Sequence, residues 1–358
     1  MPVPRLPSSL WPKILLAAII GVLSGFFARK VGMPLPWMLG PMIGCGAAAL
    51  AGAPVHGPVW LRPVVIPVIG VMLGSGFHPD LADSLAEWSG TLLLLPLFLI
   101  AATSVSYGFY RYVGGYSPVD AFFSAAPGGL NEMIALGTEA GGNETRIALA
   151  HALRVFIVIS AIALIFSLLL HARAARGPAT WVGFTDLSPR DALILAACAI
   201  VGVVGGKRLR LPAAQLFGPG LLSAIAHISG VVAMPPPTIL VIASQITIGS
   251  ILGCRFAGVN PRTMGRDMLL GLGATILLLG VTVFFAALLG PLTGTPLAQG
   301  VLAFSPGGLT EMSLLALAMG RDVAYVATMH MVRIVLVVFG MPLAFRLLGK
   351  PPKAPPDT

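Results

Sequence analysis

The chain has 358 residues, 56% of them hydrophobic and only 10% charged, and its mean hydropathy is +0.92. A soluble domain carries about 25% charged residues, so lipid rather than water must surround most of this chain. The formal net charge of +9 is dispersed through short interhelical loops without a long basic run or an aromatic-basic stripe, which fits basic cytoplasmic loops and argues against direct contact with nucleic acid.

Arg5 and Lys13 precede the apolar run Ile14 to Phe27 in the manner of a signal peptide. A counterpart near 192–206, deep inside the chain, favours a retained first helix. Apolar runs predict helices near 11–28, 35–53, 60–77, 91–111 and 145–171, then near 190–206, 213–233, 238–256, 268–289 and 322–347. Two further segments, near 119–140 and 298–319, are interrupted at their middles by Pro-Gly-Gly and could either cross or re-enter. The stretch between His171 and Arg190, with Gly177, Pro178 and Ser188-Pro189, reads as a connecting loop. Cys45, Cys198 and Cys254 show no CxxC or CxxH spacing and read as small core residues.

Self-comparison organises these segments. Leu39-Gly40-Pro41 matches Phe217-Gly218-Pro219, and the run Gly70 to Phe77 matches Gly249 to Phe256. The strongest block is Pro127-Gly128-Gly129-Leu130-Asn131-Glu132-Met133 against Pro306-Gly307-Gly308-Leu309-Thr310-Glu311-Met312, 179 residues apart. At that same offset His151 and Arg154 fall on His330 and Arg333. A fixed offset is the signature of duplication. The expected fold is therefore an all-α polytopic membrane protein of ten to twelve transmembrane segments, in two tandem repeats at 11–171 and 190–348, with a loop at 172–189 and a tail at 349–358. Counting both broken segments as crossings makes the halves parallel; counting both as re-entrant makes them inverted. Basic residues divide too evenly between the sides to choose.

Pro-Gly-Gly inside an apolar helix removes a backbone donor and frees carbonyls. Such a break survives in lipid only where protein or a water-filled cavity satisfies those groups. The helix restarting at Leu130 or Leu309 turns its amides and positive dipole end toward the break, where Glu132 and Glu311 stand in the first turn. His151 and Arg154 are i, i+3 on one helix face, as are His330 and Arg333. Each Glu is expected to pair with an Arg, either as a structural staple or as part of a trio in which His could move protons. Asn131 against Thr310, and Ala126 against Ser305, vary the polarity at the break. Close helix packing through glycine is the simpler alternative.

Histidines show no HxH, HExxH or ExxH cluster, and Walker A, GxSxG and Rossmann fingerprints are missing, so neither a metal nor an organic cofactor is expected, nor catalysis. The duplicated PGGLxEM block with its downstream HxxR resembles the bacterial AbrB membrane-protein family, from about Leu15 to Leu348. Members have been labelled ammonia monooxygenases and regulators of gene expression, and the soluble AbrB regulators are small DNA-binding β proteins unlike this chain. The build also resembles cation–proton antiporter and anion transporter folds, and by that fold-level analogy implies secondary transport. The expectation is a multi-pass protein of the bacterial inner membrane that carries a small solute or ion. Its site would comprise Pro127, Gly128, Gly129, Asn131, Glu132, His151 and Arg154 with Pro306, Gly307, Gly308, Thr310, Glu311, His330 and Arg333. A membrane-embedded regulator acting through a partner is the alternative, a membrane monooxygenase the remote one, and a homo-oligomer is compatible with either of the first two.

Overall fold

The computed structural model describes residues 8–77, 88–169, 181–211, 213–259 and 261–348, without the side chains of Ser8, Asn131, residues 166–169, Pro261, Thr263 and Leu348. Residues 172–180 of the expected loop and the tail 349–358 lie outside the described residues. Every regular element among those described is helical. In chain order these are α1 (Trp11–Lys30), α2 (Pro36–Leu50), α3 (Arg62–Gly74), α4 (Ser89–Gly108), α5 (Pro118–Ala125), α6 (Leu130–Glu139) and α7 (Glu144–Leu169), followed by α8 (Pro189–Arg208), α9 (Ala214–Ile228), α10 (Thr238–Gly253), α11 (Pro261–Thr293), α12 (Leu297–Phe304), α13 (Leu309–Ala318) and α14 (Val323–Leu348).

A helix stands at each of the ten places the apolar runs mark, but only 7 are long and apolar enough to cross a bilayer: α1, α4, α7, α8, α10, α11 and α14. The other three, α2, α3 and α9, have 15, 13 and 15 residues. At 1.5 Å per residue they rise about 20 Å, short of the ~30 Å hydrocarbon core. The apolar runs overreach α2 and α9 at their C-terminal ends, where Gly52 and Gly230 turn the chain in the left-handed region, at φ 85° and 68°.

Two compact units emerge, and each draws on both halves of the sequence. Unit 1 comprises 1–84, 159–260 and 313–324; unit 2 comprises 85–158, 261–312 and 325–358. In unit 1, α1 packs on α2, α2 on α10, α3 on α9 and α9 on α8. Glycines allow the backbones to approach. A Cβ at Gly249 or Gly253 of α10 would strike the carbonyls of Met38 or Met42 in α2, and one at Gly70 or Gly74 of α3 would strike those of Leu216 or Gly220 in α9. The sequence blocks matched above thus pack crosswise: α2 seats on α10, the counterpart of α3, and α9, the counterpart of α2, seats on α3. All three cysteines are buried and free, and the Cys45 thiol donates to the Ala17 carbonyl at 3.3 Å.

Unit 2 is built on α4 against α11, around Leu95, Phe98, Leu278, Phe285, Leu289 and Phe304. Val119, Phe122, Phe123, Ala126, Met133, Ile147, Val337 and Met341 form a second cluster around the first break. Thr91 and Tyr325 share a hydrogen bond of 2.8 Å between their hydroxyls. At one end a polar knot closes the unit. Arg146 stands 3.5 Å from Asp267 and 3.9 Å from Asp120, its guanidinium 5.2 Å above the Tyr116 ring. Tyr116 donates to Asp267 at 3.0 Å; burial first, and then that carboxylate, push its phenol up, so it remains the donor.

Candidate functional site

Both Pro-Gly-Gly segments form true helix breaks. α5 begins with Ser117 accepting from the Asp120 amide at 3.0 Å. It stops at Ala126, which is extended at ψ 121° because a residue before proline is driven from the helical region. Gly129, at φ 61° and ψ 50°, then caps α6 in a conformation that costs other residues about 1–2 kcal/mol. The second segment breaks at the same place but without a left-handed glycine: α12 ends at Ser305, extended at ψ 131°, and α13 starts at Leu309 beyond Gly307 and Gly308. Each break leaves a carbonyl end and an amide end open inside unit 2.

Arginine and histidine meet the carbonyl ends. His151 donates through Nε2 to the Phe123 carbonyl at 2.8 Å and receives Arg154 Nη2 on Nδ1 at 2.7 Å. Arg154 Nη1 lies 3.5 Å from the carbonyls of both Ser124 and Ala125. In the second copy His330 donates to the Leu302 carbonyl at 2.9 Å and receives Arg333 Nη2 at 3.1 Å. Arg333 also bonds the carbonyls of Ser305 and Gly307, the latter at 2.9 Å. A carbonyl can only accept and a guanidinium can only donate. Both histidines are thereby fixed as neutral rings with the proton on Nε2, because a second proton on Nδ1 would face the arginine.

The amide ends carry the glutamates. Glu132 Oε2 would lie 3.4 Å from a Cβ at Gly129, and Glu311 Oε2 would collide with one at Gly308, so each carboxylate folds back over the glycine that precedes its own helix. A negative side chain there meets the positive end of the helix dipole. Glu132 is exposed, whereas Glu311 is 8% exposed. His151, Arg154, His330 and Arg333 are all buried.

Two expectations bear on these contacts. Neither arginine is paired with a glutamate: among the described residues Arg154 and Arg333 bond backbone carbonyls and histidine only. Each arginine takes the carbonyl end of the preceding half-helix where the sequence reading sought a glutamate. The histidines, read as possible proton carriers, have both ring nitrogens in hydrogen bonds, Nε2 with a carbonyl and Nδ1 with arginine. Ser305, which adds polarity at the second break, turns its hydroxyl back to the Val301 carbonyl. Pro127, Pro306 and Gly307 are buried, with Gly128, Gly129, Gly308 and Thr310 half-buried; the Asn131 side chain lies outside the described set.

The two breaks are neighbours. Val337 and Val338 of α14 stand against Gly128 and Gly129 of the first break, while Arg333 on the same helix serves the second. What the sequence reading missed are the acceptors, Phe123, Ser124, Ala125 and Leu302, whose carbonyls have no residue signature. Their one signal is position, two to four residues ahead of Pro-Gly-Gly.

A family model described as "Transition state regulatory protein AbrB" matches residues 37–349. The chain belongs to the AbrB family. The chain is similar to "Uncharacterized protein YhjN" of Bacillus subtilis (strain 168), 26% identical over 363 residues that cover 92% of this chain and 91% of that protein. "Putative regulator AbrB" of Escherichia coli (strain K12) is 25% identical over 328 residues, covering 91% and 92%. No solved structure matches the chain.

Proposed function

We propose that the protein is a secondary transporter of a small solute or ion in the bacterial inner membrane, with its site at the two helix breaks near the middle of the bilayer. The observation that carries this reading is the pair of breaks in unit 2, each with arginine on its carbonyl end and glutamate on its amide end. Discontinuous helices at corresponding places in the two halves of a chain mark transporter binding sites. The guanidinium groups act as resident cations on the freed carbonyls, so a metal ion seeking carbonyl ligands there must displace one. That leaves the amide ends as the exchangeable poles, with Glu132 and Glu311 yielding to, or sharing, the transported species. In this reading the histidines hold the arginines in place, and the protein performs no covalent chemistry and needs no cofactor.

Purified protein in proteoliposomes, given imposed proton and sodium gradients, should show saturable flux of at least one member of a panel of small anions, amino acids and cations. Glu132→Gln should reduce that flux at least tenfold while the protein remains folded. Folded wild-type protein that moves nothing across the panel would overturn the proposal. A second reading, a membrane-embedded regulator acting through a partner or ligand, is motivated by the printed name of the Escherichia coli relative. It predicts a protein that co-purifies with the intact chain and a gene-expression phenotype that Glu132→Gln leaves unchanged.

A further inference from the structure

Unit 1 contains a cavity of about 90 Å³ at the start of α2 and α10, walled also by the last turns of α13. One water needs ~10–15 Å³ by this measure, together with two to four polar partners. The space is several times larger, and its side-chain lining is almost wholly apolar. Of its two polar side chains, Thr238 is committed: its hydroxyl accepts from the Val182 amide at 2.9 Å, and its own amide donates to the Val182 carbonyl at 2.9 Å. Gln245 is different. It is 7% exposed, lines the cavity, and among the described residues its amide has no hydrogen-bond partner.

The walls are set before any ligand arrives. Pro36, Pro235 and Pro236 line the space with fixed φ. The Trp37 ring is held edge-on to Phe26 at 4.9 Å and rests where a Cβ on Gly25 would collide with it. No charged side chain lines the cavity among the described residues, and a bare charge placed there would lose its hydration without gaining a counter-ion. A rigid apolar pocket with one unsatisfied amide matches a small ligand with an apolar body and one group that gives or takes a hydrogen bond.

We infer that this cavity is a second ligand site, separate from the helix breaks, for a neutral, largely apolar molecule whose single amide- or alcohol-type head bonds Gln245. It does not depend on the transport reading. Benzamide, benzyl alcohol, toluene and benzoate can be titrated against the purified full chain in nanodiscs, with intrinsic tryptophan fluorescence and thermal shift as readouts and Trp37→Phe identifying the local signal. Benzamide and benzyl alcohol should bind saturably, and benzoate at least tenfold more weakly. Gln245→Leu keeps the volume and removes the amide, so it should weaken benzamide at least tenfold and leave toluene unchanged. Ala318→Trp should abolish binding of all four by filling the space. No saturable binding to folded protein, benzoate binding as tightly as benzamide, or benzamide affinity indifferent to Gln245→Leu would each overturn the assignment.

Discussion

At the second break Arg333 bonds the carbonyls of Ser305 and Gly307, on either side of Pro306, while at the first Arg154 stands 3.5 Å from carbonyls two and three residues ahead of Pro127. The carboxylates follow suit. Glu311 is buried against Gly308 and Glu132 is exposed beside Gly129. Hydrogen bonds weaken toward 3.5 Å, so one sequence motif has been set into a tight form and a loose one within a single compact unit. In the proposed transport reading the tight break contributes more to the fold and the loose one exchanges more readily. Identical residues in register therefore need not do equal work; their second neighbours decide.

The largest expected effect tests that difference in grip. Arg333→Met strands two carbonyls and the His330 Nδ1 lone pair, each costing about 1–3 kcal/mol when buried without a partner, so unfolding should come at least ~3 kcal/mol more easily. Arg154→Met removes longer bonds and should cost about 1–2 kcal/mol on the same basis. Thermal unfolding in detergent or nanodiscs reads both, and equal losses would erase the distinction. Next come the glycines, where the order reverses. Gly129→Ala forces a side chain into the left-handed region, worth about 1–2 kcal/mol. Gly308→Ala meets only the movable end of Glu311 and should cost less than half as much, on the order of 0.5 kcal/mol, as for substitutions that spare core and backbone. Smallest is Glu132→Gln, an exposed change worth less than about 0.5 kcal/mol. With no Glu–Arg pair to break, Glu132→Gln combined with Arg154→Met should add to within ~0.5 kcal/mol. Rescue of the single variants by the double would restore the staple and remove the loose-site reading.

Much of this was legible because hydrophobic runs and Pro-Gly-Gly are local signals. The runs mark where backbone must close its own hydrogen bonds in lipid, and the proline ends a helix wherever it falls inside one. His151 with Arg154 and His330 with Arg333 were legible as shared faces from their i, i+3 spacing. Their partners were not. Counting charged side chains suggested Glu132 for Arg154, yet the open carbonyl end of α5 is an equally good acceptor and leaves no trace in residue type. The length of α2 and α9 was overestimated because hydropathy does not register the left-handed turns at Gly52 and Gly230. The Arg146, Asp267 and Tyr116 knot joins residues far apart in the chain, and the Gln245 cavity exists only where α2 and α10 begin against each other. A lone glutamine in an apolar helix was its single trace.

The crosswise seating of α2 on α10 and of α3 on α9 bears on how the protein is made. Unit 1 needs 1–84, 159–260 and 313–324, and unit 2 needs 85–158, 261–312 and 325–358, so neither can assemble from the first half alone. A ribosome delivers the chain at about 5–20 residues per second, and α2 must wait for α10 with its glycine seats unfilled. Contacts of such long sequence separation slow folding. Helices α1 to α7 thus spend the interval as a partly packed intermediate, and chains cut in the connecting loop should require coexpression of both pieces to yield either unit.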